Sequence, residues 1–164
     1  MVSMTSSHKG AIAEVVIAAE AVKAGIPVLK PLVEGGRYDL VLDVLGRFVR
    51  VQCKWAVRRG DVIVVYVATC RHTPRGYLRT KYDASEIDVI GVYYPDTGGC
   101  YLIPIQDVRG RSVIHLRLAP TQNNQEFAIR YAADYEFRGA IAQLGERHTG
   151  SVEAGGSSPP SSTP

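Results

Sequence analysis

With 164 residues, a net charge of +3 and 46% apolar residues, the chain has the size of one domain and enough apolar surface for a real core. That composition excludes a wholly disordered chain, and no apolar run approaches the roughly 20 residues that span a bilayer. The three cysteines, Cys53, Cys70 and Cys100, are odd in number and form no Cys-x-x-Cys pair, which favours free thiols over disulfides or a zinc site.

Lys9–Ala24 reads as a helix, with Ser6 or Ser7 as its N-cap and Gly25 and Pro27 as its stop. Ala11–Ala19 is apolar except for Glu14, so burial nearly all round is expected, and Glu14 must face a site or be unfavourably buried. Strands are expected over 27–30, 39–45, 48–55 and 62–68, with a hairpin turn at Gly46-Arg47 joining the second to the third. The Val-Ile-Val-Val-Tyr-Val run of the fourth is that of a buried central strand. Further strands are expected over 89–94 and 100–104, with Pro95–Gly99 as the turn between them. A short helix or turn at 105–108 and a strand at 113–117 come next. Residues 119–125 form a polar loop, and 127–135 fits a strand or a short helix equally well.

Charge is unevenly distributed. Between Arg47 and Lys81 nine basic residues stand against one acid, Asp61, interleaved with Trp55, Tyr66, Tyr77 and Tyr82. Turn signals at Arg59-Gly60-Asp61 and Thr73-Pro74-Arg75-Gly76 make Arg71–Tyr82 read as a mobile basic loop able to lie against a phosphate backbone. The candidate DNA contacts are Lys9, Arg58, Arg59, Arg71, Arg75, Arg79 and Lys81; the plain alternative is a solvated charged face.

In a strand, residues two apart share a face. Asp39 therefore shares one with Val41 and Asp43, and Gln52 shares one with Lys54. A carboxylate on one strand would converge with an amide and an ammonium on its neighbour. Such a spot suits a hard cation held by oxygen, beside a lysine that orients or deprotonates a water. A structural Asp–Lys ion pair is the competing account. There is no Gly-rich phosphate loop after a strand, and His8, His72, His115 and His148 are scattered without ligand spacing, which disfavours a nucleotide-binding or zinc protein.

At Lys9-Gly10, Ala13-Glu14, Pro31, Arg37-Tyr38-Asp39-Leu40 and Val51-Gln52-Cys53-Lys54, and on through Ile87–Tyr93 and Tyr101–Pro104, the sequence resembles the PD-(D/E)XK nuclease superfamily. Within it, the likeness is to homing endonucleases associated with group I introns. The resemblance implies an α/β, restriction-endonuclease-like core, a mixed β-sheet flanked by helices, and metal-dependent hydrolysis of DNA phosphodiester bonds. It makes Glu14, Asp39, Gln52 and Lys54 the catalytic residues. Asp39, Gln52 through its side-chain oxygen and the Cys53 backbone carbonyl would ligate Mg2+ (or Mn2+), with Glu14 acting through a water or a second metal.

Tyr38 stands where the superfamily has proline, and Gln52 where it usually has Asp or Glu, a change that the homing branch tolerates. The resemblance further implies double-stranded DNA as partner, a homodimer or homotetramer, no membrane, and a cytoplasmic, nucleoid-associated location. The first residues lack a charged stretch and a long apolar core, so no secretory signal is expected. The apolar strands Cys100–Ile105 and Val113–Leu118 are candidate subunit interfaces. Two alternatives stay open: a Holliday-junction resolvase, and a catalytically decayed DNA-binding module with Gln52 as the first sign of decay.

The domain is expected to span 1–138. Over 139–164 the composition shifts to Gly, Ser and Pro, and disorder is the physical expectation. The same segment has a second peculiarity. Gly139–Arg147 can be encoded by GGN-GCN-ATA-GCT-CAG-TTG-GGA-GAG-CGN, which looks like the acceptor start and D-arm of a bacterial tRNA gene, and Gly156–Pro159 can be encoded by GGT-TCG-AGT-CCN, which resembles its T-arm. The hypothesis that follows is a reading frame running into a tRNA gene, the target of a mobile element.

Overall fold

The computed structural model describes residues 4–33, 35–120 and 129–153, with the side chains of 70–72 and 147–153 outside that description. Helix α1 (Ser6–Lys23) starts one residue earlier than its capping serines suggest. Thr5 is the N-cap, its hydroxyl accepting the His8 N–H at 3.2 Å. The helix buries one stripe, Ala13, Ile17 and Ala21, whereas Val15 and Val22 are 68% and 63% exposed. Burial all round does not occur, because a helix lying on one sheet has only one covered side.

The chain continues through β1 (Val28–Leu29), β2 (Leu40–Val44) and β3 (Arg47–Trp55). β2 and β3 form the expected hairpin with its turn one residue earlier, at Leu45-Gly46, where φ is 54° and 83°. Positive φ at both central residues is what a two-residue turn needs to match the right-handed strand twist. β4 (Val57–Arg59), β5 (Val62–Tyr66), β6 (Ala68–Thr73) and β7 (Gly76–Lys81) follow. Then come β8 (Val89–Tyr94), β9 (Gly99–Pro104), α2 (Ile105–Val108), β10 (Val113–Arg117), a short 3-10 helix (Ala132–Tyr135) and α3 (Phe137–Glu153).

The central sheet has the order β1-β2-β3-β8-β9, with β3 and β8 parallel and the other neighbours antiparallel. Its two faces bury two separate cores. On one, Leu42, Val49, Val51 and Leu102 meet Ile17 of α1 and Phe137, Ala140 and Leu144 of α3. On the other, Ile90, Val92 and Ile103 meet Ile63 and Val65 of β5 and Ile114 and Leu116 of β10. Each of these large side chains contributes about 1.5–3 kcal/mol by leaving water. Gly91 on β8 lets α1 lie close: a Cβ there would sit 2.8 Å from Val51 and 3.2 Å from Ile17.

Four expectations change. The Val62 run is a central strand, but of a second sheet, β10-β5-β4. The basic loop is an antiparallel hairpin, β6–β7, closed by Pro74-Arg75. The side chains of Cys100, Tyr101, Leu102, Ile103 and Ile105 and of Ile114 and Leu116 are buried in this chain's own cores, which accounts for their apolar character without a second subunit. The expected boundary at 138 falls inside α3. Phe137, Ala140 and Leu144 recur at helical spacing and seal the α1-side core, so α3 is part of the fold through at least Leu144. Residues 154–164 lie outside the described residues, as do 121–128, which carry most of the expected polar loop and the start of the undecided segment. Among the described residues no helix is long and apolar enough to cross a membrane.

Candidate active site

Asp39 sits immediately before β2, its backbone N–H donating to the Val51 carbonyl at 2.9 Å. Its Oδ2 accepts two hydrogen bonds from β3: the Cys53 backbone N–H at 2.7 Å and the side-chain amide of Gln52. The expected convergence of Asp39 and Gln52 is thus a direct contact, with one difference. Gln52 turns its NH2 to the carboxylate instead of its oxygen, because an ionised carboxylate can only accept. Gln52 is the one buried polar side chain among the described residues. It packs beside Ile90 of β8, where an unpaired amide would be costly.

Lys54 lies on the same face as Gln52 and is half-buried. Its Nζ donates to the Tyr82 hydroxyl at 3.1 Å and stands 5.1 Å from the centre of that ring, so its hydrogen bond goes to Tyr82 and not to Asp39. Burial lowers the Lys54 ammonium below the ordinary lysine range, and Asp39 pulls it back up. The other neighbour of Tyr82 is Arg37. Its guanidinium lies 4.4 Å from the ring centre and forks onto Glu86 at 2.8 and 2.7 Å. Burial holds the Tyr82 phenol far above its usual range, so it stays neutral.

Glu14 is half-buried on α1 and accepts from Lys30 Nζ at 2.9 Å, so it is neither stranded nor merely solvated. Glu14, Lys30, Tyr38 and Asp39 line an open cleft of about 400 Å3, with Gly10 and Gly36 on its walls. Burial raises the Asp39 carboxyl above the ordinary range. The Cys53 N–H opposes that, Glu14 adds to it, and Lys54 and Lys30 counter it. Glu14, Lys30, Lys54 and the Cys53 N–H thus all act on the one carboxylate.

Among the described residues no cluster of three His, Cys, Asp or Glu side chains is placed to hold a metal. Beside Asp39 stands an amide, Gln52, and not a second carboxylate. The donors that remain are a carboxylate, an amide oxygen and a peptide carbonyl, all hard oxygens of the kind Mg2+ takes. The raised Asp39 carboxyl, pushed up by burial and by Glu14, marks a spot where an added cation would be favourable. These residues fit a hard divalent ion, provided the Gln52 amide turns over, a motion about a broad terminal torsion. Burial pushes the Cys53 thiol well up, which favours its protonated form.

The basic residues divide. Arg75 and Arg79 are exposed on the β6–β7 hairpin. Arg58 and Arg59 are exposed on β4, held by the Gly60 carbonyl at 2.9 Å and the Tyr66 hydroxyl at 3.3 Å. Lys9 lies 5.9 Å from the Trp55 ring. Lys81 is drawn back to the body, its Nζ donating to the Gly110 carbonyl at 2.7 Å. Arg71 is on β6 opposite Leu78, its side chain outside the described residues. Lys30 and Tyr82 complete the site without belonging to any local motif.

A profile of the PD-(D/E)XK endonuclease family matches residues 4–138. Among solved structures, a bacterial homing endonuclease, I-Ssp6803I, is similar to this chain at a TM-score of 0.73 and 27% identity, over 90% of this chain and 97% of that one. No curated protein sequence matches.

Proposed function

This chain belongs to the PD-(D/E)XK endonuclease family, and from that premise we propose that it is a site-specific DNA endonuclease of the homing type, using Mg2+ or Mn2+. Nucleases of this family act on DNA and generally use divalent metal ions. The observation that carries the finer reading is the convergence of Asp39, Gln52 and the Cys53 backbone on one spot, with Glu14 and Lys54 in Coulombic range of it. The whole-length likeness to a homing endonuclease supports the same branch.

Asp39, the Gln52 side-chain oxygen and the Cys53 carbonyl would hold the ion, with Glu14 acting through a water or a second ion. When bound, the ion supplies polarisation of the scissile phosphate and a lowered water pKa. Lys54, fixed by Tyr82, orients the attacking water or stabilises the charge that develops on the phosphate. Arg58, Arg59, Arg75 and Arg79 supply cations for backbone phosphates, and Lys9, Arg71 and Lys81 belong to the same proposed surface. Each site cuts one strand, so double-strand cleavage calls for at least a dimer, and a homodimer or homotetramer is proposed.

The proposed target is the tRNA gene whose D-arm and T-arm codons fit 139–159. The decisive experiment compares a duplex carrying that gene with a four-way junction. Cleavage of the duplex at one site supports the homing reading. Preferential cleavage of the junction would instead make the protein a resolvase. Metal-dependent cleavage of either substrate would exclude a decayed DNA-binding module.

A further inference from the structure

We infer that Tyr82 is a positioning residue for Lys54, held in place by Arg37, so that the catalytic lysine and the root of the basic hairpin share one support. The inference rests on the nuclease reading for what Lys54 does, but not for where it is held. Lys54 has a flexible four-carbon stem, and an ammonium on such a stem has no geometry of its own. Its Nζ donates to the Tyr82 hydroxyl at 3.1 Å and stands 5.1 Å from the ring centre. That ring is buried, 4% exposed, among the side chains between the two sheets, and so offers a rigid acceptor.

Tyr82 is itself fixed by Arg37. The guanidinium stacks 4.4 Å from the ring centre and donates to the Lys81 carbonyl at 2.8 Å, one residue before Tyr82. It also donates to Thr69 Oγ1 at 3.3 Å, on the opposite strand of the hairpin, and its fork onto Glu86 anchors the loop that follows. One guanidinium thus grips both strands at the hairpin root, the ring and the next loop. Arg37 is two residues from Asp39. The cation that precedes the metal carboxylate in sequence is therefore the one that seats the partner of the catalytic lysine.

The test is Tyr82→Phe, which keeps the ring under Arg37 and removes only the oxygen. A displacement of about 1 Å of a catalytic group can lower the rate about a hundredfold. Single-turnover cleavage by the variant should fall at least about tenfold, with KM and duplex affinity within about twofold and an unchanged melting temperature. An unchanged rate would overturn the inference, as would a loss of rate accounted for by a lowered melting temperature. A second measurement does not depend on activity. In protein with 15N-labelled lysine, the side-chain signal assigned to Lys54 by its absence in Lys54→Met should shift in Tyr82→Phe while the other lysines stay put. An unmoved Lys54 signal overturns the inference even if the wild-type protein cuts nothing. Inert wild-type protein with a shifted signal would count against the nuclease reading alone.

Discussion

The Gln52 side-chain amide donates to the carboxylate of Asp39 at the open end of the β2–β3 hairpin, just beyond the pairing of Leu40 with Val51. The pair occupies the place where two carboxylates would repel each other unless a cation lay between them. Gln52 gives this site a resting state that needs no ion, because its NH2 satisfies the acid directly.

Gln52→Glu removes that satisfaction. Two carboxyl groups in contact and largely buried cannot both ionise without a cation. The variant should be destabilised by about 1–3 kcal/mol in chelator, the range for loss of a buried hydrogen-bond partner. Its melting temperature should rise with Mg2+ more than the wild type does, by linkage to the folded state. A melting temperature that does not respond to Mg2+ in either protein would show that no ion binds at this pair.

Truncation after Arg138 should destabilise the fold, since it removes Ala140 and Leu144 from the core under Phe137. Leu144→Ala alone should cost about 2–5 kcal/mol. Truncation after Glu153 should leave the melting transition unchanged, because it spares every side chain of that core. Equal melting of the Arg138 truncation and the full chain would show that α3 is not packed in solution.

Arg75 and Arg79 on the hairpin should contribute affinity without chemistry. Replacing both by Gln should weaken duplex binding and flatten the plot of log affinity against log salt by about 0.9 for every phosphate that is no longer neutralised. Lys81→Gln should change that slope less, because its ammonium is engaged with the Gly110 carbonyl. A salt slope that stays put in the double variant would assign the hairpin to solvent.

Acid should weaken the loop that carries Asp88. Burial pushes its carboxyl up, but the hydrogen bonds from the Arg50 side chain and N–H outweigh it and hold the folded value below the ordinary one. A depressed folded pKa gives stability that is present above the unfolded value, about 3.9, and is lost as pH falls through the folded value. Asp88→Asn should therefore be less stable than wild type at neutral pH, with the gap closing below about pH 4. Thermal melts of both proteins across that range measure it; a gap that does not depend on pH would mean the ion pair contributes nothing.

Much of the fold was legible because its signals are local. Val89–Tyr94 is β-branched and aromatic apart from Gly91, Val113–Arg117 opens on Val-Ile after a Gly-containing turn, and the strands run over those same residues. The β6–β7 hairpin was hidden because every residue from Gly76 to Lys81 is exposed, so no alternation of burial marks it. The helical spacing of Phe137, Ala140 and Leu144 was masked by the Gly and Ser content around it. In the site, Asp39, Gln52 and Lys54 could be placed together from strand periodicity. Lys30 and Tyr82 could not, since they reach Glu14 and Lys54 across 16 and 28 residues of chain, and only the fold brings them in.

Cleavage of a duplex by wild type, Asp39→Asn and Lys54→Ala, with Mg2+ and in chelator, tests the central claim most directly. Wild type should cut only with the divalent ion. Each variant should lose at least about a hundredfold in rate while holding duplex affinity within a few-fold, as expected when a group that holds the ion or serves the chemical step, and not the duplex, is removed. Cleavage that persists in chelator, or that survives either substitution at the wild-type rate, would contradict the assignment of this site.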